Sequence, residues 1–269
     1  MTAIAVVVGL LILVNIVLHR TPESVYVPLS ILASLVFLGV GRLVGLTWAD
    51  LGLSPTTLVS GALWGALLVV LVGIVYLVGA SIPRTRRLFG DRRAIETRGV
   101  HIARRALIDV PFGTVLLEET AFRGVLYALI VRRENTTWAI IGTSVLFGLW
   151  HILPALPMHD AHDAIRETIG TGMRARITTV TLTVIGTGLG GVVFALLRWW
   201  TNSLLPPVGL HWALNGLGLA FAWTIGRWIA NTESLFERHD AHSVNDAGRS
   251  ENDGDSDSDS DSGHSDSGV

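Results

Sequence analysis

The chain has 269 residues, half of them hydrophobic and only 16% charged, with a formal net charge of −2 and no cysteine. With a positive mean hydropathy, that composition excludes an ordinary soluble domain and describes a polytopic membrane protein. The missing cysteine excludes disulfides, thiolate metal ligands and cysteine nucleophiles.

The small net charge conceals two unlike parts. From residue 232 onward the chain holds eleven of the 22 acids and two of the 20 cations, which leaves residues 1–231 with eighteen cations against eleven acids, or +7. In so apolar a body that sign suits anionic lipid headgroups, and no nucleic-acid partner is expected. The fold class predicted is all-α, a transmembrane bundle of about seven to eight spans over residues 1–231. The Asp/Ser-rich segment 232–269 reads as a disordered tail, because it has too little apolar surface to offset the entropy of ordering.

Crossing the hydrocarbon core takes about 20 mostly apolar residues. Seven stretches qualify in chain order: 2–19, 25–46, 57–80, 108–131, 136–153, 177–198 and 203–229. The first lacks the basic start of a signal peptide, and its nearest cation, Arg20, follows the apolar run, so it is read as a retained helix. Arginines gather between spans three and four (Arg84, Arg86, Arg87, Arg92, Arg93, Arg98, Arg104, Arg105) and after span five (Arg166, Arg174, Arg176). The opposite side has only Arg42, Arg132, Arg133 and Arg198. The arginine-rich side is expected to be cytoplasmic, with the N-terminus outside, the C-terminus inside and the plasma membrane as the location. Residues 158–169 suggest a short interfacial helix after Pro154 and Pro157. His159, His162 and His264 stand in polar surroundings and read as solvated.

Three polar constellations interrupt the apolar spans: Glu118-Glu119-Thr-Ala-Phe-Arg123, Phe147-Gly-Leu-Trp-His151 and His211-Trp-Ala-Leu-Asn215. Ionisable groups at bilayer depth cost roughly 3 kcal/mol or more each, so such groups are a functional-site hypothesis. Glu119 and Arg123 have the i,i+4 spacing and order of a favourable ion pair. Glu118 points about 100° away with no cation at its own i+3 or i+4, and so remains available. Phe147 shares a helix face with His151 and is expected to fix its rotamer. His211 has Asn215 at i+4. Counting residues from the span ends puts Glu118 and His151 at one level, about 20–22 Å below the outer surface, and His211 about 13 Å down, a gap of around 8 Å. A carboxylate and imidazoles in a partly dry cavity can take a proton from water and hold the nucleophile against an amide carbonyl. An amide and an imidazole N–H suit the oxyanion that follows.

The three motifs, in this order on separate helices, resemble the CAAX protease and bacteriocin-processing family of intramembrane endopeptidases, the Abi family. It includes the prenyl-protein endopeptidase that removes the last three residues after lipidation. Its patterns Glu-Glu-x-x-x-Arg, Phe-x-x-x-His and His-x-x-x-Asn/Asp are met without substitution, and the resemblance covers residues 104–225. It implies a membrane-embedded protease acting near the C-terminus of a membrane-associated or prenylated protein. Glu118, assisted by His151, would activate water, while His211 and Asn215 would stabilise the oxyanion. Glu119 and Arg123 would serve the architecture. Family members are often described as metalloproteases. Glu118, His151 and His211 are then the candidate zinc ligands, against a metal-free glutamate mechanism.

Two other classes compete. A proton-coupled transporter also uses buried Glu, His and Arg, but many carriers have two related halves, and no internal repeat is visible here. A membrane scaffold or immunity protein would keep the fold without the reaction. A retinal protein is excluded, since all 20 cations are arginine and a Schiff base needs lysine.

Overall fold

A computed structural model of the chain describes residues 2–86, 97–156, 170 and 172–232. The acidic tail beyond 232, the expected helix at 158–169 and much of the arginine-rich connection lie outside the described residues. Among the described residues there are helices and no strand. The long helices are α1 (Thr2–His19), α2 (Glu23–Leu43), α3 (Pro55–Ser81), α4 (99–133), α5 (Thr136–Ala155), α6 (Met173–Thr201) and α7 (Leu205–Thr232). All but α4 are long and apolar enough to cross a membrane. Their outward faces carry Leu13, Val59, Leu67, Ile185 and Leu189, each more than half exposed. So much exposed aliphatic surface suits lipid rather than water, and the chain is an integral membrane protein.

The predicted span 108–131 falls within α4, which differs from the others because it is the centre of the bundle. Every residue from 117 to 129 is buried, charged groups included. Its winding alternates: 105–115 and 120–126 are π-helical around the short α-turn Leu116–Glu119 that carries the two acids. Pro111 in the first π segment has no N–H to give to the helix ladder. Such widened turns recur at functional sites because they re-aim side chains. Around α4 the core is closed by Phe37 of α2, Leu46 and Leu51 of the following loop, Phe147 and Trp150 of α5 and Phe194 of α6.

α2 runs parallel to α4. Near the start, the Tyr26 hydroxyl meets Thr114 Oγ1 at 3.3 Å, and near the end Arg132 donates to Val44 O and Gly45 O. The loop after α2 is held by Asp50, which accepts from Thr47 N–H, Thr47 Oγ1 and Arg132 Nη2. Asp50 O accepts from Arg198 Nη2, and Gly52 O from Leu204 N–H.

Two helix pairs approach at backbone distance through small residues. A Cβ on Gly209 would sit 2.8 Å from Gly65 Cα, which brings α7 against α3, and one on Gly148 would sit 2.6 Å from Val184 O, which brings α5 against α6. Packing of this kind is how membrane helices associate without a hydrophobic driving force between them.

The close α3–α7 contact closes the depth gap expected for His211. Asn202 ends α6 in the left-handed region, and Ser203 and Leu204 are buried, so α7 begins inside the bundle, not at its surface. Ser203 packs where a Cβ of Gly61 would be, and Gly61 is about 9 Å along α3 from Pro55. His211 therefore starts deeper than residue counting from a surface entry implies.

Candidate functional site

Glu119 and Arg123 are fully buried and form the expected i,i+4 pair, Arg123 Nη1 to Glu119 Oε1 at 3.2 Å. The guanidinium also donates from Nη2 to Gly191 O at 3.2 Å and lies over the rings of Phe147 (4.1 Å) and Phe194 (5.0 Å). Gly191 permits this close approach, because a Cβ there would come 3.1 Å from Ser144 Cα and 3.2 Å from Arg123 Nη2.

His211 is buried and stacked on Phe194, centroids 4.9 Å apart and planes 19° from parallel. Its Nδ1 meets Glu119 Oε1 at 2.8 Å. A carboxylate oxygen accepts, so Nδ1 carries the hydrogen and Nε2 is turned toward Glu118 Oε2, 3.8 Å away. Glu119 thus binds both Arg123 and His211, a wider role than the ion pair alone.

Glu118 is buried, and its two oxygens have different surroundings. Oε1 accepts from Trp150 Nε1 at 2.9 Å, while Oε2 has no hydrogen-bond partner among the described residues. The cluster joins two carboxylates, one guanidinium and one imidazole, so it is neutral when a single proton is held between Glu118 and His211. That arrangement can receive a proton from a substrate water without creating net buried charge.

His151 occupies the turn that ends α5, half-buried. Its ring packs edge-on against Phe147 at 4.7 Å, and its Nδ1 meets Phe147 O at 2.8 Å. A carbonyl only accepts, which leaves His151 Nε2 as the unprotonated nitrogen of the neutral ring. Phe147 packs on His151 as the spacing suggested, and His211, Arg123 and Phe194 also pack on it, which the spacing did not indicate. No hydrogen bond or ion pair joins His151 to Glu118 among the described residues; the α5 residue that hydrogen-bonds Glu118 is its neighbour Trp150. Asn215 is exposed within the π-helical turn Ala213–Leu217, and no hydrogen bond ties it to the cluster.

For a metal, Glu118 Oε2 and His211 Nε2 offer two converging donors. Among the described residues no three His, Asp or Glu side chains gather as a metal-binding group. A catalytic zinc takes three protein ligands, which this donor set does not supply.

Sequence reasoning missed Trp150 and Phe194. A signal for Trp150 exists: an indole N–H inside an apolar span needs an acceptor, and Glu118 had no local partner. Phe194 is one apolar residue among many in α6 and carries no such signal.

Residues 105–217, from α4 through the π turn of α7, match the family model of the Rce1-like type II CAAX prenyl endopeptidases, and over that stretch the chain is similar to that family. Helices α1–α3 lie outside the matched stretch. No curated protein and no solved structure matches the chain.

Proposed function

We propose that the chain hydrolyses a peptide bond near the C-terminus of a membrane-anchored, lipid-modified protein, with Glu118 as the base. The observation that carries this reading is the asymmetry of the Glu118 carboxylate: Trp150 holds Oε1, and Oε2 faces His211 Nε2 without a hydrogen bond of its own. Glu118 Oε2 takes a proton from water, the hydroxide oxygen bonds to the substrate carbonyl carbon, and negative charge moves to the carbonyl oxygen. When the C–N bond breaks, the leaving amine receives the proton from Glu118.

His211 in its protonated form donates from Nε2 to the oxyanion, and the Glu119 carboxylate at Nδ1 stabilises that imidazolium, as the carboxylate of a Ser-His-Asp triad does. His151 Nε2 orients the water, and the Asn215 amide is the second oxyanion donor once substrate covers its exposed face. The donor set favours a metal-independent glutamate mechanism, and no step here uses zinc.

A groove of about 370 Å³ between α1 and α5 supports a lipid-anchored substrate. It is lined by Leu11, Ile12, Phe122, Leu149 and Leu153, with Trp150 as the wall next to Glu118.

The test compares cells expressing the wild type with cells expressing Glu118→Gln by peptidomics of the membrane fraction. Short C-terminal peptides released only by the wild type support the reading. Identical peptide sets reject it.

A further inference from the structure

Hydrolysis consumes one water per bond cut, and Glu118 is buried inside the helix bundle, so water must reach it along some polar line. The wall toward α1 is the apolar groove. The wall toward α2 is different. Tyr26–Thr114 and Val44–Arg132 are contacts separated by the same 88 residues, one near each end of the pair. That constant offset puts Ser30 at the level of Glu118. Ser30, on the Tyr26 face of α2, is fully buried, and its Oγ has no hydrogen-bond partner among the described residues, the same condition as Glu118 Oε2. Two orphaned polar oxygens at one level of a buried seam are the usual mark of a water-binding position.

The seam continues toward the end of α4 that follows the arginine-rich connection. The half-buried Tyr26 ring crosses α4 at Gly113, where a Cβ would lie 2.6 Å from the ring, and its hydroxyl meets Thr114 Oγ1. One turn earlier is Asp109, 3.5 Å from Arg104 Nη2, with Oδ1 making no hydrogen bond. Ser30 is seven residues into α2, about 10 Å from that end, which makes this a short route.

We propose that the α2–α4 seam is the water entry of the site, with Asp109, Tyr26, Thr114 and Ser30 as its polar steps to Glu118. The inference rests on Glu118 being the base, and it gives α2, which lies outside the family match, a part in the reaction. Ser30 and Tyr26 are positioning residues for the incoming water.

The chain has no cysteine, so single-cysteine variants can be read against an empty background. Ser30→Cys and the lipid-facing Leu32→Cys are reconstituted in liposomes and treated with hydrogen peroxide, a water-sized oxidant whose oxygen the thiolate attacks to give the sulfenic acid, with hydroxide leaving. Oxidation at each site is followed by mass spectrometry, with melting in detergent as the check on folding. We expect Ser30→Cys to oxidise about tenfold faster than Leu32→Cys, because a thiolate forms only where water reaches. Equal inertness of the two thiols overturns the proposal.

Turnover supplies a second arm. Ser30→Ala is expected to lower kcat on the order of tenfold at unchanged KM, as for the loss of one hydrogen bond to a reacting water. An unchanged kcat with an unreactive Ser30→Cys also rejects the proposal. Oxidation does not depend on catalysis, so a reactive Ser30→Cys beside a still-active Glu118→Gln leaves the water route standing and removes Glu118 as base.

Discussion

Trp150 donates its indole N–H to Glu118 Oε1 at 2.9 Å, from the position immediately before His151 on α5. The same ring is a wall of the apolar groove and packs edge-on to Phe122, 5.7 Å between centroids. The carboxylate and the groove therefore share one side chain, so under the proposed function a substrate anchor in the groove would bear on the orientation of Glu118.

Trp150→Phe keeps most of the wall and removes the donor. It leaves a buried carboxylate oxygen unpaired, a cost of about 1–3 kcal/mol. We expect kcat to fall about 10- to 100-fold, the same energy expressed as rate, with a smaller change in KM. Steady-state kinetics on a membrane-anchored peptide checks this, and a change confined to KM would assign Trp150 to the groove alone.

The two acids are expected to separate under substitution. Glu118→Gln should abolish cleavage and leave detergent melting nearly unchanged, since the amide is isosteric and opens no cavity. Glu119→Gln removes the charge that Arg123 and His211 share, and breaking a buried pair costs about 3–5 kcal/mol. A thermal-shift comparison decides it: equal destabilisation by both variants contradicts the division of roles.

The acids and Arg123 were legible in the sequence because helical periodicity is a local property. The i,i+4 pair and the freedom of Glu118 from any cation on its own helix both follow from spacing, and α4 has the paired geometry expected. Positions that depend on another helix were not legible. The level of His211 is set by the descent of residues 202–204 against Gly61, and the π segment that carries the exposed Asn215 is one that no hydropathy pattern signals. The role of Glu119 toward His211 needed the α4–α7 packing before it could be seen.

The depth of the α7 entry has its own test. Gly209→Val places side-chain atoms where Gly65 Cα and O now stand, 2.8 Å from an added Cβ, and α7 must move away from α3. We expect loss of activity together with a lower melting temperature, since overpacking costs about 1–3 kcal/mol and His211 is displaced from Glu119. The lipid-facing Leu189→Val should leave both properties unchanged.

Outside the spans, Asp50 gives a pH signature. The Thr47 N–H, with help from the Thr47 hydroxyl and Arg132, holds its carboxyl below the usual value of 3.8. A carboxyl depressed in the folded state stabilises above its unfolded pKa, and that contribution is lost as pH falls through the folded value. Acidification below about pH 4 should therefore release the loop that Arg132 and Arg198 hold. Asp50→Asn should lower melting slightly at neutral pH, and the difference from wild type should shrink in acid. A difference independent of pH would mean that the carboxylate charge is not the cause.

The central claim is that Glu118 activates water within a cluster oriented by Glu119 and His211. It is tested most directly by single-turnover cleavage of a prenylated, C-terminally tagged peptide in liposomes by wild type, Glu118→Gln, His211→Ala and the double variant. The account predicts that each single variant loses nearly all of the rate and that the double variant is scarcely slower than either, as for groups acting on one reaction centre. Independent, multiplicative losses, or appreciable cleavage by Glu118→Gln, would contradict it.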